Sequence, residues 1–226
     1  MMSDFTLAVD GSTYAGSVAV IRGKEVISSA SLPAGEKPGR GGREEHFMPM
    51  VAQCLMEAGV RPSQLSRVVC GAGPGSFTSL RVAASIAKGL AVGAGVKLYA
   101  VSSLMLIPAG SDAGDGLYLS VIPAMRDELF AALFEVSSGA LRSMSAPRII
   151  ADPDAQAEAG RLGAQLIGPV GKNPVSPHAR GVARVLDSVI SDGECDIATW
   201  EPVYGRLAEA QVRWEAAHGR PLTAAG

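Results

Sequence analysis

Only three histidines and three cysteines occur in 226 residues. His46, His178 and His218 stand far apart, with no HExxH, HxxxH or Cys/His cluster, so the sequence indicates no metal site. Cys54, Cys70 and Cys195 are odd in number, widely spaced and form no CxxC pair. That excludes a disulfide framework and reads as reduced thiols in a cytoplasmic protein. Aromatic residues are 5% of the chain, too few for base-stacking platforms. No sign of charge dominates, since 20 Lys and Arg stand against 22 Asp and Glu, which argues against an autonomous nucleic-acid binder. The most apolar stretch, Gly89 to Gly110, is broken by Gly93, Gly95, Lys97 and Pro108 and reads as no membrane span. The opening MMSDFTLAVDGS lacks a basic segment followed by an apolar run, so no signal peptide is expected.

What the chain has is apolar residues and glycine. Hydrophobic residues are 47% and charged residues 19%, enough to bury a core. Gly 27 and Pro 14 together make about 18%, against a usual ~12%, without a collagen-like period. This excess points to turns and close backbone approaches.

Hydrophobic patterning predicts strands at Phe5–Val9, Gly16–Ile21 and Lys24–Ser29, the last two joined by a turn at Arg22-Gly23. After a polar loop over Ala34–Gly42 come a helix over Glu44–Ala58 ended by Gly59, a strand at Arg67–Cys70, a helix over Ser76–Val92 and a strand at Val96–Val101. The expected first unit is an α/β lobe with a mixed sheet. Strands at Gly116–Pro123, Leu129–Val136 and Gln165–Ile167, with helices at Asp152–Gly160, Ala179–Ile190 and Leu207–His218, make a second. The boundary is placed near Pro108–Asp115, giving lobes 1–108 and 109–226.

Gly71-Ala72-Gly73-Pro74-Gly75-Ser76 lies between a strand and a helix, where phosphate loops sit. It is neither a Walker A loop nor GxGxxG, because Ser76 takes the third glycine position and no acid follows between Lys88 and Gly110 to hold a ribose. Two readings stand: a structural turn with Ser76 as N-cap, or backbone contact with an anion or a closely approaching partner. Asp10-Gly11-Ser12-Thr13 divides the same way. It is a phosphate cradle with Asp10 orienting a metal or water, or a hairpin turn satisfying its own amides.

The helix around HFMPMVAQCLMEAG is apolar nearly all round: Phe47, Val51, Cys54, Leu55 and Ala58 form one face, Met48, Ala52 and Met56 another. Such a helix meets the sheet on one side and a second protein on the other, or is wholly buried. In the next helix the charges Arg81 and Lys88 share a face with Ser85. No GxSxG elbow occurs and no histidine neighbours a nucleophile. Asp127 and Glu128 read as turn residues rather than an acid pair. The chain does not look self-sufficient as an enzyme.

LAVDGSTYAGSVAVIRG, HFMPMVAQCLMEAGV, GAGPGSFTSLRVAASIAKGLAVG, LYAVSSL and EPVYGR follow one another in the order and spacing of the TsaB (YeaZ) family, closely over the first ~105 residues. The resemblance implies two actin-like, ribonuclease H-like lobes, the second smaller and degenerate. It implies a non-catalytic activator of threonylcarbamoyl transfer to the adenosine beside the anticodon in tRNAs reading ANN codons. The implied partners are a TsaD-like transferase and a TsaE-like ATPase, with a homodimer when alone and tRNA reached only through the complex. No cofactor is required, and any ATP or ADP binding would be weak, through Asp10, Gly11, Ser12, Thr13, Gly73, Gly75 and Ser76. The paralogous transferase has a metal-binding HxxxH where this chain reads Ser102-Ser103-Leu104-Met105-Leu106. The family's pairing helices map the interface onto His46, Phe47, Met50, Val51, Cys54, Arg81, Ser85 and Lys88. The chain departs from the family's DAR-like stretch with Pro123-Ala124-Met125, so no role is carried over there. The rival expectation is a stand-alone actin-like ATPase or a glycoprotease-like peptidase.

Overall fold

Apolar residues alternate faces along the first strands, and both faces are covered. The computed structural model describes residues 4–32, 46–171 and 173–205. The first sheet comprises β1 (Phe5–Asp10), β2 (Ser17–Arg22), β3 (Glu25–Ser31), β4 (Leu65–Gly71) and β5 (Lys97–Val101) in the order β3-β2-β1-β4-β5. β1, β2 and β3 form an antiparallel meander, and β4 and β5 join β1 in parallel. This is the mixed sheet the sequence predicts.

Leu7, Val9, Val18, Val20, Val68, Cys70 and Leu98 point to one side, under α1 (Phe47–Glu57) and α2 (Phe77–Ala94). Ala8, Ala19, Ile21, Val69, Tyr99 and Val101 point to the other. Burying each large side chain contributes roughly 1.5–3 kcal/mol, so the continuous apolar runs of β1 and β2 are what a sheet covered on both faces demands. α1 is described from Phe47; the expected start at Glu44 lies outside the described residues. It ends where predicted, with Gly59 at φ 66° donating its N–H to the Met56 carbonyl.

The second sheet comprises β6 (Gly116–Pro123), β7 (Glu128–Ser137), β8 (Ala140–Ser143), β9 (Arg148–Ala151) and β10 (Gln165–Ile167). The order is β10-β6-β7-β8, and β9 pairs with the first half of β7. α4 (Ala155–Arg161) covers one face over Leu119, Val121, Leu129 and Ala131. The other face, with Tyr118, Ile122, Ala132 and Phe134, shares a core with α3 (Leu106–Ala109), α5 (Val182–Ser191) and the back of the first sheet. A buried bond from the Ala179 N–H to Ser17 Oγ, 2.8 Å, ties the entry of α5 to β2.

β8, β9 and α3 are absent from the sequence reading. The helices expected at Asp152–Gly160 and Ala179–Ile190 both begin as 3-10 turns, at Asp152–Asp154 and Ala179–Gly181. The loop Ala34–Gly42 and the helix Leu207–His218 lie outside the described residues. Among the described residues, no helix is long and apolar enough to cross a membrane.

Candidate functional site

Parallel pairing of β1, β4 and β5 brings their carboxyl ends together, the edge where open α/β sheets ordinarily bind ligands. Asp10 closes β1 there and is fully buried. Its Oδ1 accepts the Ser12 N–H at 3.1 Å and the Ser12 hydroxyl at 2.7 Å, and its Oδ2 accepts the Ser103 hydroxyl at 2.6 Å. Burial raises the Asp10 pKa above its ordinary 3.8, and the serine bonds act against that rise. The Ser103 hydroxyl in turn accepts the Gly73 N–H at 3.0 Å, so one chain of bonds joins β1, the turn after β4 and the turn after β5.

The glycines of the two turns admit this chain's own atoms. A Cβ on Gly71 would sit 1.9 Å from Asp10 Oδ2, and one on Gly75 2.1 Å from the Ser12 carbonyl oxygen. One on Gly11 would lie 2.4 Å from the Ser79 carbonyl of α2. Thus Asp10–Thr13 and Gly73–Ser76, flagged separately in the sequence, interlock, with the Ser76 N–H also donating to the Ser12 carbonyl at 2.8 Å. Ser76 stands at the N-cap of α2, but its hydroxyl pairs with the Ser79 hydroxyl at 3.2 Å instead of capping a backbone amide. Thr13 is half-buried, and its hydroxyl is buried without a partner.

Residues 195–205 were singled out in the sequence only through the thiol of Cys195 and through EPVYGR, and no site role was read from them. They run from the second lobe back over the first. The Cys195 N–H donates to the Leu98 carbonyl and the Val203 N–H to the Ala72 carbonyl, each at 2.8 Å. Gly73 has φ 84°, and a Cβ there would meet the Val203 carbonyl oxygen at 2.4 Å. Tyr204 packs on Phe77 with centroids 4.5 Å apart. Burial and Glu201, which accepts its hydroxyl, push its pKa up to about 12.

The predicted interface residues divide. Phe47, Met50, Val51 and Cys54 are buried in this chain's own core. The helical period turns them to the sheet and leaves Met48, Ala52 and Met56 outside, with Met48 47% and Met56 75% exposed. His46 is exposed at the start of α1. On α2, Arg81 is exposed with its guanidinium 5.4 Å from the Phe77 centroid, and the exposed Ser85 bonds back to the Arg81 carbonyl at 2.8 Å. Lys88 is half-buried, 3.5 Å from Glu201 and 5.9 Å from the Trp200 centroid, so residues 200 and 201 already engage it. Glu57 fastens the end of α1 to β3, accepting the Ser28 hydroxyl at 2.9 Å and the Gln53 amide at 2.8 Å; these bonds hold its carboxyl below the ordinary range.

Residues 42–154, half of the chain, match the TsaD family, described as tRNA N6-adenosine threonylcarbamoyltransferase. The chain belongs to the TsaD family. It is 32% identical over 138 residues to the tRNA threonylcarbamoyladenosine biosynthesis protein TsaB of Bacillus subtilis, covering 61% of this chain and 58% of that protein. It is 33% identical over 131 residues to the TsaB of Escherichia coli, covering 57% and 54%. The chain thus matches little more than half the length of these relatives. The solved structure of YeaZ from Pseudomonas aeruginosa superimposes with a TM-score of 0.69 at 25% identity, covering 89% of this chain and 99% of that one. Within the TsaD family the likeness is to the TsaB (YeaZ) branch, and the fold is its actin-like α/β architecture.

Set in that family, the turn after β5 carries hydroxyls rather than imidazoles. Ser103 supports Asp10, and Ser102 borders a cavity of about 400 Å³ against Ala132, Phe134 and Ser143–Pro147 that has no charged side chain in its lining. Among the described residues, no three His, Cys, Asp or Glu side chains gather as metal ligands would.

Proposed function

We propose that this chain takes part in making threonylcarbamoyladenosine in tRNA as a TsaB-type activator, docking on a TsaD-like transferase through the outer faces of α1 and α2. The observation that carries this reading is exposed apolar surface on two adjacent helices: Met48 at 47%, Met56 at 75% and Val92 at 66%. Methionines suit a surface that repacks against a partner. Small residues on α2 add to it, since Ser85, Gly89 and Gly93 are exposed and the glycines have open space where a Cβ would stand. A specific interface here would bury ~1,200–2,000 Å².

In this reading the chain supplies no catalytic group. It orients the transferase by covering its matching helices, pairs with a second copy when alone, works beside a TsaE-like ATPase, and reaches tRNA through the complex. The strand-end network supports the non-catalytic part, because the Asp10 oxygens and the glycine turns are engaged within the chain. The test is reconstituted threonylcarbamoyl transfer to tRNA by a TsaD-like transferase, with and without this chain and with Met56→Glu. Stimulation by the wild type and its loss in the variant are expected; equal activity in all three overturns the proposal.

A further inference from the structure

We propose that residues 195–205 form an internal strap that runs from β5 over α2 to the glycine turn after β4 and fixes the two lobes in one arrangement. The path of the chain carries this inference. From α5, packed between the lobes, the segment crosses to the first sheet. There Cys195 bonds to β5 and the Asp196 carboxylate accepts the Ala198 N–H at 3.0 Å and the Thr199 hydroxyl at 2.9 Å, setting a tight turn.

Trp200 and Glu201 then hold Lys88 of α2 from two sides, as cation–π contact and ion pair. Val203 adds a backbone bond to Ala72, and its carbonyl presses on Gly73 so closely that no side chain fits. Tyr204 lies on Phe77 at the start of α2. The segment ends on the second lobe: a Cβ at Gly205 would be 2.4 Å from the Phe130 ring of β7 and 3.1 Å from Pro74.

Gly205 thus lies against both the glycine turn of the first lobe and the first half of β7 in the second. The continuous core behind, where Val69, Tyr99 and Val101 share a cluster with Phe134, Val185 and Val189, holds the other side of the junction. Any opening at this edge would have to break ties on both sides of the junction. The strap concerns the chain alone and does not depend on the partner reading, so failure of either leaves the other standing.

Electron–electron spin distances between labels at Met56→Cys and Met144→Cys, both exposed sites in different lobes, test it in a Cys195→Ser background diluted with unlabelled protein. One narrow distance is expected, unchanged by ATP and Mg²⁺, and Val203→Pro, which removes the N–H given to Ala72, should broaden it. Two wild-type distances, a shift on adding nucleotide, or an unchanged distribution in Val203→Pro each overturn the strap. Should Val203→Pro not fold, hydrogen exchange of the Val203 amide decides: at least tenfold faster exchange in Trp200→Ala than in the wild type supports it, and equal rates refute it.

Discussion

The crevice at the strand ends and the outer face of α1 and α2 are built from the same materials: glycine, serine and small apolar residues. Their fates in the fold are opposite. In the crevice every close approach is taken by the chain itself, with Asp10 against Gly71, Ser12 against Gly75 and Val203 against Gly73. On the outer face the glycines meet nothing within contact distance, and Met48, Met56 and Val92 stand in solvent. Glycine content alone therefore does not mark close approach, and only tertiary contacts show where approaching atoms are present. In the crevice they are; beside Gly89 and Gly93 no described atom of this chain fills the space.

Four changes sharpen or break this comparison. The largest effect is expected on the inner side of α1, where Val51→Asp buries an unpaired charge at a site of zero exposure. The loss should be about 4 kcal/mol or more by chemical denaturation, leaving little folded protein. Next comes Gly71→Ala, which forces a methyl into the Asp10 carboxylate and should cost about 2–3 kcal/mol. A neutral result would mean that the crevice is looser than its contacts indicate.

The third concerns pH. Burial and the Arg180 charge lower the His178 pKa from 6.5 to about 4, and its neutral Nδ1 accepts the Arg180 N–H at 3.1 Å. The unfolded chain therefore binds a proton that the folded chain refuses. Stability present above pH 6.5 is lost as pH falls from about 6.5 toward about 4. Thermal melts should show this slope, and His178→Gln should flatten it. The smallest effect on stability belongs to the bare face: Met56→Glu should change unfolding free energy by no more than about 0.5 kcal/mol. It should still weaken pairing with a transferase tenfold or more, about 1.4 kcal/mol in binding, by pull-down titration or calorimetry. If it destabilises the monomer as much as Gly71→Ala does, the two regions do not differ as described.

Long elements with a strong period were legible in the sequence. β1, β2, α1, β4, α2 and β5 lie within a few residues of their expected bounds, because apolar alternation and terminal glycines mark them locally. Elements that depend on neighbours were not. β8 is four residues of mostly exposed, mixed polarity, and exists because the Ser138-Gly139 turn folds it back on β7. β9 is flanked by Pro147 and Pro153 and is held by pairing with β7. α3 contains Pro108, which reads as a stop; it sits within the first helical turn, where an N–H has no helical acceptor to lose.

The candidate site was half legible. The two turns were found as motifs, but their union through Ser103 joins residues 93 apart and has no local signature. The outer stripe of α1 was visible as a second apolar face, whereas the interface residues carried over by resemblance included four that the fold buries.

What the sequence by itself determined is the order of the long elements, the mixed α/β class, the missing metal-ligand patterns and the surplus of apolar residues on two helices. These follow from periodicity and residue chemistry, which act over a few positions. Only the tertiary structure decided which face of α1 remains outside, that the Asp10 carboxylate is satisfied by serines, and that Val203 closes on the glycine turn after β4. Each of those depends on which distant segment fills a shared space, and close packing lets only one occupant fill it.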